Sequence, residues 1–144
     1  MSATLANRVR RLEDINLTKT KALPAAAATN YSDAIDFGSN RIGPLADDVE
    51  VVVSVPALPS LVDAKTLIIT VQDSADNSSF AAVAGTPVIT LTGAGGVGAS
   101  ALDTRFKLPP LTRQYVRFSQ AVLTAGGDNT AVSVTYKVLA NHPG

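Results

Sequence analysis

The sequence predicts an all-β fold, an antiparallel β-sandwich, and three observations carry that expectation. The first is alternation. Val49, Val51, Val53 and Val55 stand against Glu50, Val52 and Ser54; Leu67, Ile69 and Val71 against Thr66, Thr70 and Gln72; Val132, Val134, Tyr136 and Val138 against Ser133, Thr135 and Lys137. Side chains at every second position share one face of a strand, so each run buries one side and wets the other. The second is the punctuation between runs, "DSADNSS", "GAGGVGAS" and "AGGDNT", rich in residues that accept positive φ or form Asx-turns. The third is size: 144 residues make one domain with a real core, and with no cysteine no disulfide contributes to it.

From the N-terminus, residues 1–30 read as an arm and linker and residues 31–144 as the sandwich. Leu5, Val9 and Leu12 fall at helical spacing with Arg8, Arg10 and Arg11 around them, compatible with a helix of two to three turns, although isolated helices that short are marginal in water. "TKTKALPAAAATN" reads as an extended linker. The arm has too little apolar content to order itself, so it is expected to lie on another surface: its own sandwich, a sister subunit or a different protein. From Ile35 the β pattern takes over. After the valine strand closed by Pro56 come the Leu67 strand, "TPVITLT", "QYVRFSQAV" with Val116 and Phe118 on one face and Tyr115 and Arg117 on the other, and the Tyr136 strand. Short one-sided strands of this kind suit a jelly-roll-like sandwich.

Composition excludes several functions. The formal charge is zero, laid out as five basic against two acidic groups in residues 1–24, two against eight in 25–90 and five against two in 91–144. A nucleic-acid binder needs surplus positive charge and stacking aromatics, so no nucleic-acid partner is expected. The charge blocks suit contacts between protein surfaces, or ordinary solvated faces. No apolar run approaches the ~20 residues that cross a bilayer, and "NRVRRLEDINLTKTK" is charged where a secretory signal requires a continuous apolar segment. No membrane partner is expected either.

Catalytic material is scarce. His142, the one histidine, stands beside Pro143 near the C-terminus, and no serine has the flanking glycines of a nucleophile elbow. Asp73, Asp76, Asn77 and Ser78 cluster, but without the alternating-oxygen spacing of a calcium loop; a polar hairpin loop is the better reading. Among Asp47, Asp48 and Glu50, strand alternation leaves one same-face pair, Asp48 and Glu50. Seven aromatics, none of them tryptophan, make a poor lining for a glycosidase cleft. The chain is expected not to be an enzyme and to take no cofactor, metal or small-molecule substrate.

One motif points the other way. Gly93-Ala94-Gly95-Gly96-Val97-Gly98 spells G-x-G-x-x-G, the dinucleotide fingerprint, whose glycines admit a pyrophosphate onto the N-terminus of a following helix. Pro109 and Pro110 end any such helix before three turns, and the next β-like run near Tyr115 comes too soon for a unit of about 30 residues. Asp103 and Asp128 both miss the ribose-binding offset. A glycine-rich loop between strands is expected instead.

The order of features resembles the capsid cement, or decoration, proteins of tailed bacteriophages. The elements are Ile35 to Gly38, an Arg-Ile-Gly turn at Arg41 to Gly43, the valine-rich strand, Gln72 to Phe80, and a Leu-Pro element leading into an Arg-x-Tyr-x-Arg strand with Arg113, Tyr115 and Arg117. The likeness spans residues 30 to 120. It implies a structural protein of the virion, made in the host cytoplasm, that binds the outer capsid surface as homotrimers and bridges major capsid protein subunits. The residues expected to touch partners are Leu5, Arg8, Val9, Arg10, Arg11 and Leu12 of the arm, with Arg113, Tyr115 and Arg117. The competing expectation is a carbohydrate- or receptor-binding sandwich of a phage tail or an enzyme accessory domain; most of the aromatics here fall on core positions rather than an exposed platform.

Overall fold

The computed structural model describes residues 9–13, 17–37, 49–109 and 111–143, with backbone alone for 9–13 and 140–143. Among the described residues there are eleven strands: β1 (Val9–Glu13), β2 (Lys19–Ala22), β3 (Thr29–Tyr31), β4 (Ile35–Asp36), β5 (Val49–Val55), β6 (Thr66–Ser74), β7 (Ala81–Ala82), β8 (Ile89–Thr92), β9 (Leu102–Lys107), β10 (Tyr115–Val122) and β11 (Ser133–Pro143). Every pairing between them is antiparallel.

They form two sheets. In the first, β5 lies between β9 and β11, and the far edge of β11 carries two short strands end to end: β2 against Ser133–Tyr136 and β1 against Leu139–Pro143. In the second, β10 lies beside β6; its far edge carries β3 and β4, and the far edge of β6 carries β8 and β7. Counting each end-to-end pair as one strand, the first, eighth, third and sixth lie side by side in one sheet and the second, seventh, fourth and fifth in the other. That is the double Greek key of a jelly roll.

The alternation read from the sequence sets the core. Val49, Val51, Val53 and Val55 of β5, Leu67, Ile69 and Val71 of β6, Val116 and Phe118 of β10, and Val134, Tyr136 and Val138 of β11 all point inward and are buried. One polar cluster crosses that interior. Tyr136 donates to Oε1 of Gln120 at 2.7 Å, and the Gln120 amide donates to Oδ1 of Asn30 at 2.9 Å and to the carbonyl of Ala22 at 3.2 Å. Asn30 donates to that same carbonyl at 2.9 Å. Buried polar atoms left alone are costly, and here each finds a partner on the opposite sheet or on an edge strand. Burial also pushes the Tyr136 phenol far above its ordinary range.

Two readings of the N-terminal segment change. The helical spacing of Leu5, Val9 and Leu12 does not yield a helix over Val9–Glu13, which is strand β1. β11 is longer than the strands beside it, and its overhanging backbone offers the hydrogen-bonding groups that a short isolated helix would have to supply alone. Leu5 and Arg8 lie outside the described residues. The tract read as a linker is extended, as expected, and is hydrogen-bonded into both sheets through β2 and β3, with Leu23 2% exposed in the core. Of the surfaces considered for the arm, these strands lie on their own sandwich. The boundary between residues 30 and 31 falls inside β3.

Candidate functional site

The outer face of the second sheet carries two of the residues selected from the sequence, Tyr115 and Arg117. Because Val116, Phe118 and Gln120 face inward, Tyr115, Arg117 and Ser119 face outward along β10. Register places Gln72 of β6 directly across from Arg117 and Tyr31 of β3 directly across from Ser119, one step along the same face. The Arg117 Nε donates to Oε1 of Gln72 at 2.8 Å. Its guanidinium carbon lies 3.8 Å from the centre of the Tyr31 ring and 4.0 Å from that of Phe80. Arg117 is therefore a cation held between two aromatic rings, with one donor fixed by an amide.

Phe80 reaches this place because the turn after β6 is built on a single carboxylate. Asp76 Oδ1 accepts from the Ser74 hydroxyl at 2.8 Å and from the backbone N–H groups of Ser78 and Ser79 at 2.9 and 3.0 Å. These donors, Ser79 foremost, hold the Asp76 carboxyl below the usual carboxylate range. The polar hairpin loop expected here is what forms, its carboxylate aimed at its own backbone. Among the described residues, no three His, Cys, Asp or Glu side chains are grouped to hold a metal ion.

Arg113 has a different setting. Asp73 sits on the inward side at the end of β6, 7% exposed, and Arg113 closes over it. Its Nε and Nη2 donate to Oδ1 at 3.0 and 2.8 Å, its backbone N–H to Oδ2 at 2.9 Å, and Nη2 also to the Asp73 carbonyl at 2.8 Å. Tyr115 lies half-buried, paired through its backbone with Ser74 on one side and Asp36 on the other. Beside it, the Gln114 amide donates to Asp36 at 2.8 Å. Three separate stretches, around Tyr31 to Phe37, Gln72 to Phe80 and Arg113 to Arg117, thus meet on one end of one sheet. The last two coincide with elements that carry the resemblance, and the first overlaps its Ile35 to Gly38 element; Arg41 to Gly43 lies outside the described residues.

Strand alternation alone found Arg117 and its outward face. It paired Arg117 with Tyr115, whereas the rings lying over the guanidinium are Tyr31 and Phe80. Tyr31 was hidden because β3 has no hydrophobic alternation, and Phe80 because a loop, not a strand period, sets its position. Val9, Arg10, Arg11 and Leu12 belong to β1, on the edge of the other sheet.

Of the other acids singled out in the sequence, Glu50 accepts through Oε1 from Arg105 at 3.0 Å on the outer face of the first sheet, while Asp47 and Asp48 fall outside the described residues. The glycine-rich loop leads by way of Ala99, which bridges to Leu58, into strand β9 rather than a helix. Asp63 Oδ1 accepts from the Gly96 N–H at 2.9 Å, so a carboxylate of the chain itself takes an amide that a phosphate-binding loop would offer to its ligand.

No family model matches the sequence, and no curated protein does. Among solved structures, the fold is similar to the exported protein XepA of PBSX, with a TM-score of 0.51 and 16% identity over 96% of this chain and 38% of that one. This chain thus spans well under half of XepA. The xylan-binding module CBM15 (TM-score 0.42, 12% identity, 93% of this chain and 97% of that one) and infectious bursal disease virus VP2 from a subviral particle (0.43, 13%, 92% and 32%) also align. At such identities the XepA likeness is one of fold: this chain is an all-β sandwich of two antiparallel sheets.

Proposed function

We propose that the chain is a structural virion protein, a decoration protein that binds the outer surface of a tailed-phage capsid as a homotrimer and bridges major capsid protein subunits. The observation that carries this reading is the convergence on the outer face of the second sheet, where Tyr31, Gln72 and Phe80, from separate stretches of the chain, build one anchor around Arg117. Arginine and aromatic rings on a firm strand platform are the residue types that dominate protein interfaces, because their geometry is set before the partner arrives. Asp73, Asp76 and Glu50 are committed to ion pairs and turns that hold the sandwich together, a pattern of a building block rather than a reaction centre. Three copies joined as one unit would convert modest contacts per copy into strong attachment.

Sedimentation velocity tests the reading: the chain alone, then mixed with emptied tailed-phage shells stripped of decoration. A trimer that co-sediments with shells at a fixed, saturating stoichiometry is the expected result. A monomer that ignores shells and binds an oligosaccharide on a glycan array would replace this reading with the carbohydrate-binding one.

A further inference from the structure

We propose that Arg117 is a preformed binding site for a carboxylate, supplied by an acidic side chain of a partner protein. The three arginines whose side chains are described on this sandwich make the contrast. Arg105 holds Glu50 at 3.0 Å and Arg113 holds Asp73 at 2.8 Å. Arg117 has no carboxylate among the described residues: its only acceptor is the Gln72 amide oxygen, taken by Nε, and its other neighbours are the rings of Tyr31 and Phe80. Both Nη nitrogens are left without an acceptor among the described residues.

The surroundings shape those donors into a receptor. A guanidinium is planar, and its two Nη groups present parallel N–H bonds that match the two oxygens of a carboxylate. The ring stack fixes the plane and the Gln72 contact fixes the rotation within it, leaving the Nη edge as the one that can take a ligand. Freezing a long side chain is a large part of the entropic cost of forming such a pair, and here folding has already met it. The stack also replaces water on both faces of the cation, which strengthens attraction to an incoming anion.

An acidic protein side chain fits the setting better than an acidic sugar. Arg117 stands on a strand face flanked by Tyr31, 39% exposed, and farther along the same sheet by Ile68, 37% exposed, and Leu123, 47% exposed. Aromatic and apolar side chains that share a sheet face with one charged fork are the residue types of a protein interface centre. The partner's identity as capsid protein rests on the decoration reading; the carboxylate chemistry does not.

The experiment has two arms. In full-length chain labelled at arginine, the Nη resonances of Arg117 should shift and saturate as tetraglutamate is added, while those of Arg105 and Arg113 stay in place. Arg117→Lys keeps the charge and loses the fork, so it should lower affinity for tetraglutamate, and for emptied shells, by about tenfold or more. Phe80→Leu, which loosens one wall of the stack, should give a smaller loss in both. An Arg117 signal that moves no more than that of Arg105 overturns the proposal. Saturation by glucuronate but not by tetraglutamate overturns it as well, because the source would then be a sugar acid. Uptake of tetraglutamate by a chain that ignores shells leaves the carboxylate site standing and removes the decoration reading. Equal shell binding by wild type and Arg117→Lys, with no peptide response, does the reverse.

Discussion

Phe118 of the second sheet and Tyr136 of the first stack face to face inside the sandwich, their ring centroids 4.1 Å apart and their planes 7° from parallel. The pair joins the two layers at a point where β10 and β11 would otherwise meet through valines. It also positions the Tyr136 hydroxyl for Gln120, so one side chain serves both the apolar and the polar contact between layers.

Tyr136→Phe separates the two roles. The stack remains and Gln120 Oε1 loses its donor, which should lower stability by about 1 to 3 kcal/mol; Tyr136→Ala should cost about 3 to 5 kcal/mol. Urea unfolding measures both. The phenol has its pKa raised by folding, so its contribution is fully present below the unfolded value of about 10. It declines above that pH, as the unfolded chain releases a proton the folded chain keeps. Wild-type stability should therefore fall more steeply above about pH 10 than that of Tyr136→Phe; parallel profiles would show that Tyr136 ionises freely in the fold.

Asp73 and Arg113 form the closure at the other end of β6. Asp73→Asn leaves the Arg113 donors a neutral acceptor and should cost about 1.5 to 3 kcal/mol. Arg113→Lys should cost a similar amount, since an ammonium cannot bring two nitrogens onto Oδ1 and also reach the Asp73 carbonyl as the guanidinium does. The backbone N–H of Arg113, which donates to Oδ2, should exchange faster with deuterium in Asp73→Asn. Unchanged exchange would mean that the closure is held by something else.

Gly96 and Gly98 should respond differently to the same substitution. Both have positive φ, but a Cβ on Gly96 meets nothing within 4 Å, while one on Gly98 would fall 1.8 Å from the Leu58 carbonyl oxygen. Gly96→Ala should cost about 1 to 2 kcal/mol for the left-handed backbone alone. Gly98→Ala must break the bridge between Leu58 and Ala99 and should cost more than about 4 kcal/mol. Thermal unfolding of the two variants decides, and similar midpoints would contradict the close approach. Isothermal titration with NAD or ATP should give no saturable heat for the wild type or for Gly96→Ala.

Truncation tests how far the N-terminal strands belong to the fold. Removing residues 1–24 takes away β2, buried Leu23 and the Ala22 carbonyl that Asn30 and Gln120 share, a loss of about 2 to 5 kcal/mol from Leu23 alone. Removing residues 1–16 spares all three. The shorter deletion should unfold in urea near the wild-type midpoint and the longer one well below it; equal midpoints would show β2 to be dispensable.

What the sequence made legible, and what it did not, follows from where each strand finds its stability. Val49 to Val55 and Val134 to Val138 bury one side chain in two, so their period is written in the residues themselves. "KTKA" of β2 and "TNY" of β3 carry no such period, because edge strands are held by backbone bonds to β11 and β10 rather than by side chains. The candidate site divides in the same way. The outward side of Arg117 could be counted along β10, but its neighbours depend on pairing register, which brings Tyr31 to Ser119, and on the Asp76 turn that delivers Phe80. Ser32 shows the same limit: where β3 gives way to β4, its hydroxyl accepts from the Phe118 N–H at 3.0 Å, filling a gap in the ladder that no local pattern announces.

The pairing of β1 with the end of β11 makes Val9 and Pro143 neighbours across a ladder. Opposed residues in such a ladder lie about 5 Å apart, so whatever is attached before residue 9 or after residue 143 leaves from the same corner of the molecule. In a chain cut back to Val9 and Pro143, a cargo fused to either end would emerge on the same side, and a short bridge could join the two and allow the chain to be reopened at a loop elsewhere. Force applied between these two ends would act across the ladder, not along it, so β1 would peel from β11 one hydrogen-bonded pair at a time while the rest of the sandwich carried no load.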